Sequence, residues 1–139
     1  MKHSFYFKSS EIKIIDGEDE ETNPMRFGKT LAEWISSNLN NVGFKTKTFP
    51  EDWGWRIDCM ETPCPIWIGC GNVDEIDKNN ELKLHINESV VWHCFIEADI
   101  PLFRRWFNKI NPTESKDKVA IALAKLLDSN GHITEVSEP

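Results

Sequence analysis

Apolar residues in this chain recur at nearly four-residue spacing near the start, at two-residue spacing through the middle and at nearly four-residue spacing again over the last third. This change of period constrains the fold, because a stripe of period 3.6 buries one side of a helix whereas alternation buries one face of a sheet. Phe27, Leu31, Trp34, Ile35, Leu39 and Val42 form the first helical stripe, with Asn23 placed to cap it, Pro24 suited to its first turn and Gly43 to stop it. Before it, His3 to Phe7 alternates as a strand, and Glu11 to Ile15 extends that strand or forms a second short one.

Phe44 to Thr48 predicts the next strand, and a turn over Pro50 to Gly54 delivers the chain into Trp55 to Met60. There Trp55, Ile57 and Cys59 share one face, with Arg56 and Asp58 on the other. Pro63 and Pro65 bracket a tight connection before Ile66, Ile68 and Cys70 alternate with Trp67, which predicts an antiparallel hairpin around residues 60 to 65 whose far end is weakened by Gly69 and Gly71. A loop over Asn72 to Asn80, a strand marked by Leu82, Leu84 and Ile86, and a further strand over Val91 to Ile96 follow. In the last third, Leu102, Phe103, Trp106, Phe107 and Ile110 mark a short helix ended by Asn111-Pro112. Val119, Ala122, Leu123, Leu126 and Leu127 mark a final helix, capped by Thr113 or Ser115 and closed by Asn130-Gly131, after which His132 to Val136 returns as an edge strand. No βαβ alternation supports a parallel nucleotide-binding sheet. The expected fold is one α+β domain over residues 1 to 139, a two-layer sandwich of mainly antiparallel sheet with helices packed on one face.

Charge narrows the function. The net charge of −7 is uneven: residues 1 to 100 carry 10 basic and 18 acidic side chains, and the remainder 6 and 5. Asp16, Glu18, Asp19, Glu20 and Glu21 form the densest block, read as a solvated loop over about residues 16 to 22, and such a block repels phosphate backbones and anionic lipid. Nucleic acid is therefore not an expected partner. No apolar run approaches the ~20 residues that cross a bilayer, and no leader pattern precedes residue 30, so a soluble cytoplasmic chain with reduced thiols is expected.

Three chemistries can be weighed on residue types. Cys59, Cys64, Cys70, His93 and Cys94 are zinc-ligand types, but their spacing is loose, and adjacent His93 and Cys94 point to opposite faces of a strand; no metal or other cofactor is implied. Cys70, between two glycines, is the best candidate for a nucleophile, set against a buried thiol at a glycine-edged strand end. Glu51, Asp52 and Asp58 lie close enough for acid–base work, although an aspartate before a turn glycine is ordinary turn chemistry. Phosphate-binding loops, serine elbows and dinucleotide fingerprints are absent from the sequence.

The six tryptophans remain. Trp34 and Trp106 share helical stripes with aliphatic residues, whereas Trp53, Trp55, Trp67 and Trp92 crowd the strand region, where one sheet face of a small core can bury at most two of the four. Glu51-Asp52-Trp53-Gly54-Trp55 after an amphipathic helix, followed by Trp67-Ile68-Gly69-Cys70-Gly71, resembles a pattern in small bacterial proteins of unassigned function. The likeness covers roughly residues 27 to 71 and implies no catalytic residue. In size and acidity alone the chain is similar to small intracellular immunity proteins that neutralise nuclease toxins. The expectation is a non-enzymatic protein-binding module that meets a basic partner through Glu51, Asp52, Trp53, Trp55 and Trp67; the alternative is a small-molecule pocket or enzyme site within residues 50 to 71.

Overall fold

A computed structural model describes residues 1–60, 64–73, 90–99 and 112–139. The expected strand at Leu82 to Ile86, the expected helix at Leu102 to Ile110 with Trp106, and Pro63 lie outside the described residues. The described strands are β1 (Ser4–Ser9), β2 (Thr46–Glu51), β3 (Gly54–Cys59), β4 (Ile66–Val73), β5 (Val91–Ala98) and β6 (Ile133–Glu135), and the α-helices are α1 (Lys29–Asn41) and α2 (Pro112–Asp128). The strands form one antiparallel sheet in the order β2-β3-β4-β5-β1-β6, so an up-and-down meander is extended at β5 by the first strand and closed by the last. The α+β class, the antiparallel pairing of β3 with β4, the strand from Val91 and the returning edge strand all agree with the sequence pattern, while residues 61–63 of the connection between β3 and β4 lie outside the described residues.

Register separates the two faces. Trp55, Ile57 and Cys59 on β3 stand opposite Cys70, Ile68 and Ile66 on β4, and these oppose Cys94, Ile96 and Ala98 on β5. Phe5 and Phe7 on β1 continue the row beside Cys94 and Trp92. These residues are buried together with Leu31, Ile35 and Leu39 of α1 and Val119, Leu123 and Leu127 of α2, so both helices lie on this one face. Each buried aliphatic side chain in that layer contributes about 1.5–3 kcal/mol relative to exposure, before conformational entropy is subtracted.

Local chemistry shifts several boundaries. Helix α1 begins at Lys29 rather than at Pro24, and no side chain from the adjoining residues caps it. The carboxylate of Glu18, buried within the acidic stretch, instead accepts hydrogen bonds from the amides of Gly28 and Lys29 at 3.0 and 3.3 Å and from Ile15 at 2.8 Å. Asp19 accepts from the Met25 amide, and Glu21 pairs with Lys29 at 3.0 Å. The acidic block is thus in part a structural clasp on the positive end of α1 rather than only a solvated loop. At the other end Gly43, with φ of 100°, stops the helix as expected: its amide bonds to Asn40 O and the Phe44 amide reaches back to Leu39 O, the two bonds of a Schellman closure. Glu11 to Ile15 forms no strand, because Ser9 Oγ accepts from the amides of Glu11 and Ile12 and turns the backbone out of the sheet.

Candidate functional site

The tip of the β2–β3 hairpin is a two-residue turn, with Glu51 and Gly54 paired across it and Asp52 and Trp53 at the apex. Gly54 has φ of 153°, and a Cβ there would sit 2.4 Å from the carbonyl oxygen of Cys70; only glycine lets the tip close so tightly on β4. Beside it Gly71 leaves room for the backbone carbonyl of Trp53, which would be 3.2 Å from a Cβ at that position. The glycines flanking Cys70 therefore act by admitting neighbours rather than by freeing a thiol.

Because Trp53 lies in the turn, it escapes strand alternation and crosses to the face away from the helices. Its ring centroid is 5.9 Å from that of Trp67 and 5.5 Å from that of Phe95, and Trp67 and Phe95 are 5.6 Å apart. Phe95 can take its corner of this triangle because it lies over Gly69, where a Cβ would meet its ring carbons at 2.2–2.7 Å. The row continues through His93, 5.2 Å from Phe95, to Tyr6, which stacks parallel on His93 at 4.2 Å. At the other end Arg56 covers Trp67 at 4.7 Å while its Nε donates to Asp58 at 2.6 Å. The outer face of the sheet thus carries one continuous aromatic row across β1, β5, β4 and the hairpin tip. Trp53, Trp67, Phe95, His93 and Arg26 border a recess of about 290 Å³ along it, with Gly71 on the same lining.

Of the residues expected to bind a partner, Glu51, Asp52, Trp53 and Trp67 gather at this end of the outer face, and Trp53 is 36% exposed. Trp55 does not belong with them. It is 5% exposed and packs in the helix-covered core, because the alternation that puts Ile57 and Cys59 inside includes it. Asn23, two residues past the last acid of the acidic stretch, donates from Nδ2 to the Asp52 carbonyl at 3.2 Å and so ties the end of that stretch to the tryptophan turn, more than twenty residues away in sequence. Asn72 secures the same region, accepting from the Phe27 amide and donating to Met25 O. Asp16, Glu20, Glu21 and Asp52 are exposed, Glu21 while paired with Lys29.

The enzymatic alternatives fare differently. Cys70 faces the core, fully buried, with its sulfur 3.7 Å from that of Cys94, and burial pushes its thiol well above the ordinary range. Cys59 is likewise pushed up to about 12, chiefly by burial. A thiol held protonated and out of reach is no nucleophile. His93 and Cys94 point to opposite faces, and among the described residues no three metal-ligand types converge. His93 Nε2 lies 2.7 Å from Ser4 Oγ, and burial lowers its pKa, partly offset by Glu138. Neutral and stacked, it belongs to the aromatic row. Tyr6 and Phe95 are not singled out by the sequence pattern, and His93 is singled out there only as a metal-ligand type, because the adjacency of β1 and β5 that aligns the three is a long-range pairing. Compared with protein-family models, curated proteins and solved structures, the chain matches none.

Proposed function

We propose that this chain is a non-catalytic binding protein, inhibitor- or immunity-like in its action, that meets a basic protein partner at the hairpin-tip end of its outer sheet face. The observation that carries this reading is the Asn23–Asp52 contact, which ties the end of the acidic stretch to the tryptophan turn. Long-range attraction from exposed Asp16, Glu20, Glu21 and Asp52 speeds encounter, and Trp53, leaning on Trp67 and Phe95, supplies a pre-ordered anchor with little rotamer entropy left to lose. Lysine and arginine side chains fit such a surface twice, pairing with carboxylates and lying over indole faces.

The test is site-resolved photocrosslinking in the host cell. A photoreactive phenylalanine analogue at position 53 is expected to trap a partner of basic pI that the same probe at Met60, exposed just beyond the far end of β3, does not trap. Association of that partner is expected to slow as salt rises. Equal trapping from both positions, trapping from neither, or an acidic partner would overturn the proposal.

A further inference from the structure

The helix layer carries a second surface of opposite character. Between the C-terminal part of α1 and the C-terminal part of α2 lies a groove of about 430 Å³ whose apolar lining includes Val42, Phe44, Ile121 and Leu126. Ile121 on α2 is 56% exposed and Val42, just past the end of α1, 68%, although a polar residue would serve a solvated surface at either position. Two lysines, Lys118 and Lys125, line the groove and no carboxylate does, in a chain with 23 acidic against 16 basic side chains. Lys118 lies 5.8 Å from the Phe44 ring centroid, and neither lysine has a carboxylate within ion-pair distance among the described residues.

We propose that this groove docks an acidic amphipathic helix of another protein. Lys118 and Lys125 are seven residues apart, two turns and about 10.5 Å along α2, with Ile121 between them. A helix with carboxylates at i and i+7 and aliphatic residues at i+3 and i+4 meets both lysines while its apolar ridge enters the groove. The lining on α2 extends from Lys118 to Leu126, a length of about 12 Å that matches just over two turns of a docked helix, and Ser129 and Asn130 continue it past the end of α2. The proposal is independent of the outer face, because none of these residues lies on the sheet.

A fluorescein-labelled peptide of about 15 residues with leucines at i+3 and i+4 and glutamates at i and i+7 serves as probe, with a lysine-for-glutamate peptide as control. The glutamate peptide is expected to bind and the lysine peptide not to. Combined Lys118→Glu and Lys125→Glu should weaken the first by roughly tenfold or more and confer binding of the second. Ile121→Ser should weaken the first by roughly tenfold while leaving thermal unfolding unchanged, because the side chain is mostly exposed. Failure of the glutamate peptide to bind, equal binding of both peptides, insensitivity to either variant, or a protein dimer that Ile121→Ser dissolves would overturn the proposal.

Discussion

Replacing Gly69 by alanine should cost stability, although the same change in an ordinary strand improves it. Relieving glycine's backbone entropy is worth roughly 0.5–1 kcal/mol. Against that, the new methyl would lie 2.2–2.7 Å from three carbons of the Phe95 ring, so the ring has to leave its place. Phe95 has Trp53, Trp67 and His93 as ring neighbours at 5.5, 5.6 and 5.2 Å. Each such pair contributes about 0.5–1.5 kcal/mol beyond area burial, so losing most of them outweighs the entropic gain and leaves a net cost of about 2 kcal/mol. The clash is with the far end of one side chain, which makes the effect separable. In a Phe95→Ala background the Gly69→Ala cost should vanish or reverse sign, giving a coupling of about 2–3 kcal/mol in a double-mutant cycle. Urea unfolding gives the four free energies, and near-UV circular dichroism should report the dispersed cluster in Gly69→Ala alone. A Gly69→Ala protein within about 0.5 kcal/mol of the parent with unchanged near-UV signal, or an equal cost in both backgrounds, would refute the account of why glycine stands there.

Other substitutions probe the elements that hold the site. Glu18→Ala should lower unfolding free energy by about 1–3 kcal/mol, because three amides, two of them at the start of α1, lose their acceptor; Glu18→Gln should recover part of it, and equal stability of all three proteins in urea would exclude the clasp. The four cysteines should resist a thiol reagent in the native protein and react together on unfolding, and fast labelling of Cys70 in the native state would contradict its burial. His93 should titrate below 6.5 when followed by NMR. With its folded pKa lowered, the unfolded chain binds the extra proton first, so the stability contribution is complete above about 6.5 and is lost as pH falls towards the folded value; a midpoint at or above 6.5 would disprove the direction.

Much of this architecture is legible in the sequence because it is set by periodicity, which is local. Alternation at Trp55-Ile57-Cys59 and Ile66-Ile68-Cys70 assigns both strands of the central hairpin to their correct faces, and Gly43 marks its helix end through a conformation that other residues seldom adopt. The same alternation argues against Trp55 as an anchor: it shares the parity of Ile57, and two tryptophans two residues apart part company only because the first lies in a two-residue turn. What is not legible depends on partners distant in sequence. The acceptor for the first amides of α1 comes from Glu18, ten residues before Gly28, where a search for caps beside the helix does not look. The aromatic row requires β1 to lie against β5, a pairing across nearly ninety residues that no local pattern encodes.

These long-range placements also explain why a chain of net charge −7 carries two surfaces of different sign. The acidic stretch is committed to the hairpin-tip end of the sheet by bonds that also build α1, so its exposed carboxylates cannot reposition themselves without loosening the helix start. The lysines of α2 lie on the helix layer, separated from the outer face by the thickness of the sheet and its packed core. At physiological ionic strength fields between exposed charges fade over about 8 Å, less than the ~10 Å that separates packed layers, so charges on the two surfaces interact only weakly with one another. Charge reversal at Lys118 and Lys125 should therefore leave salt-dependent capture at Trp53 unaltered, and Trp53→Ala should leave the helix groove unaltered. Reciprocal effects would instead require a packed element that links them, and α1 is the structural candidate: Glu18 holds its start beside the hairpin tip, and Val42 follows its last turn at the groove.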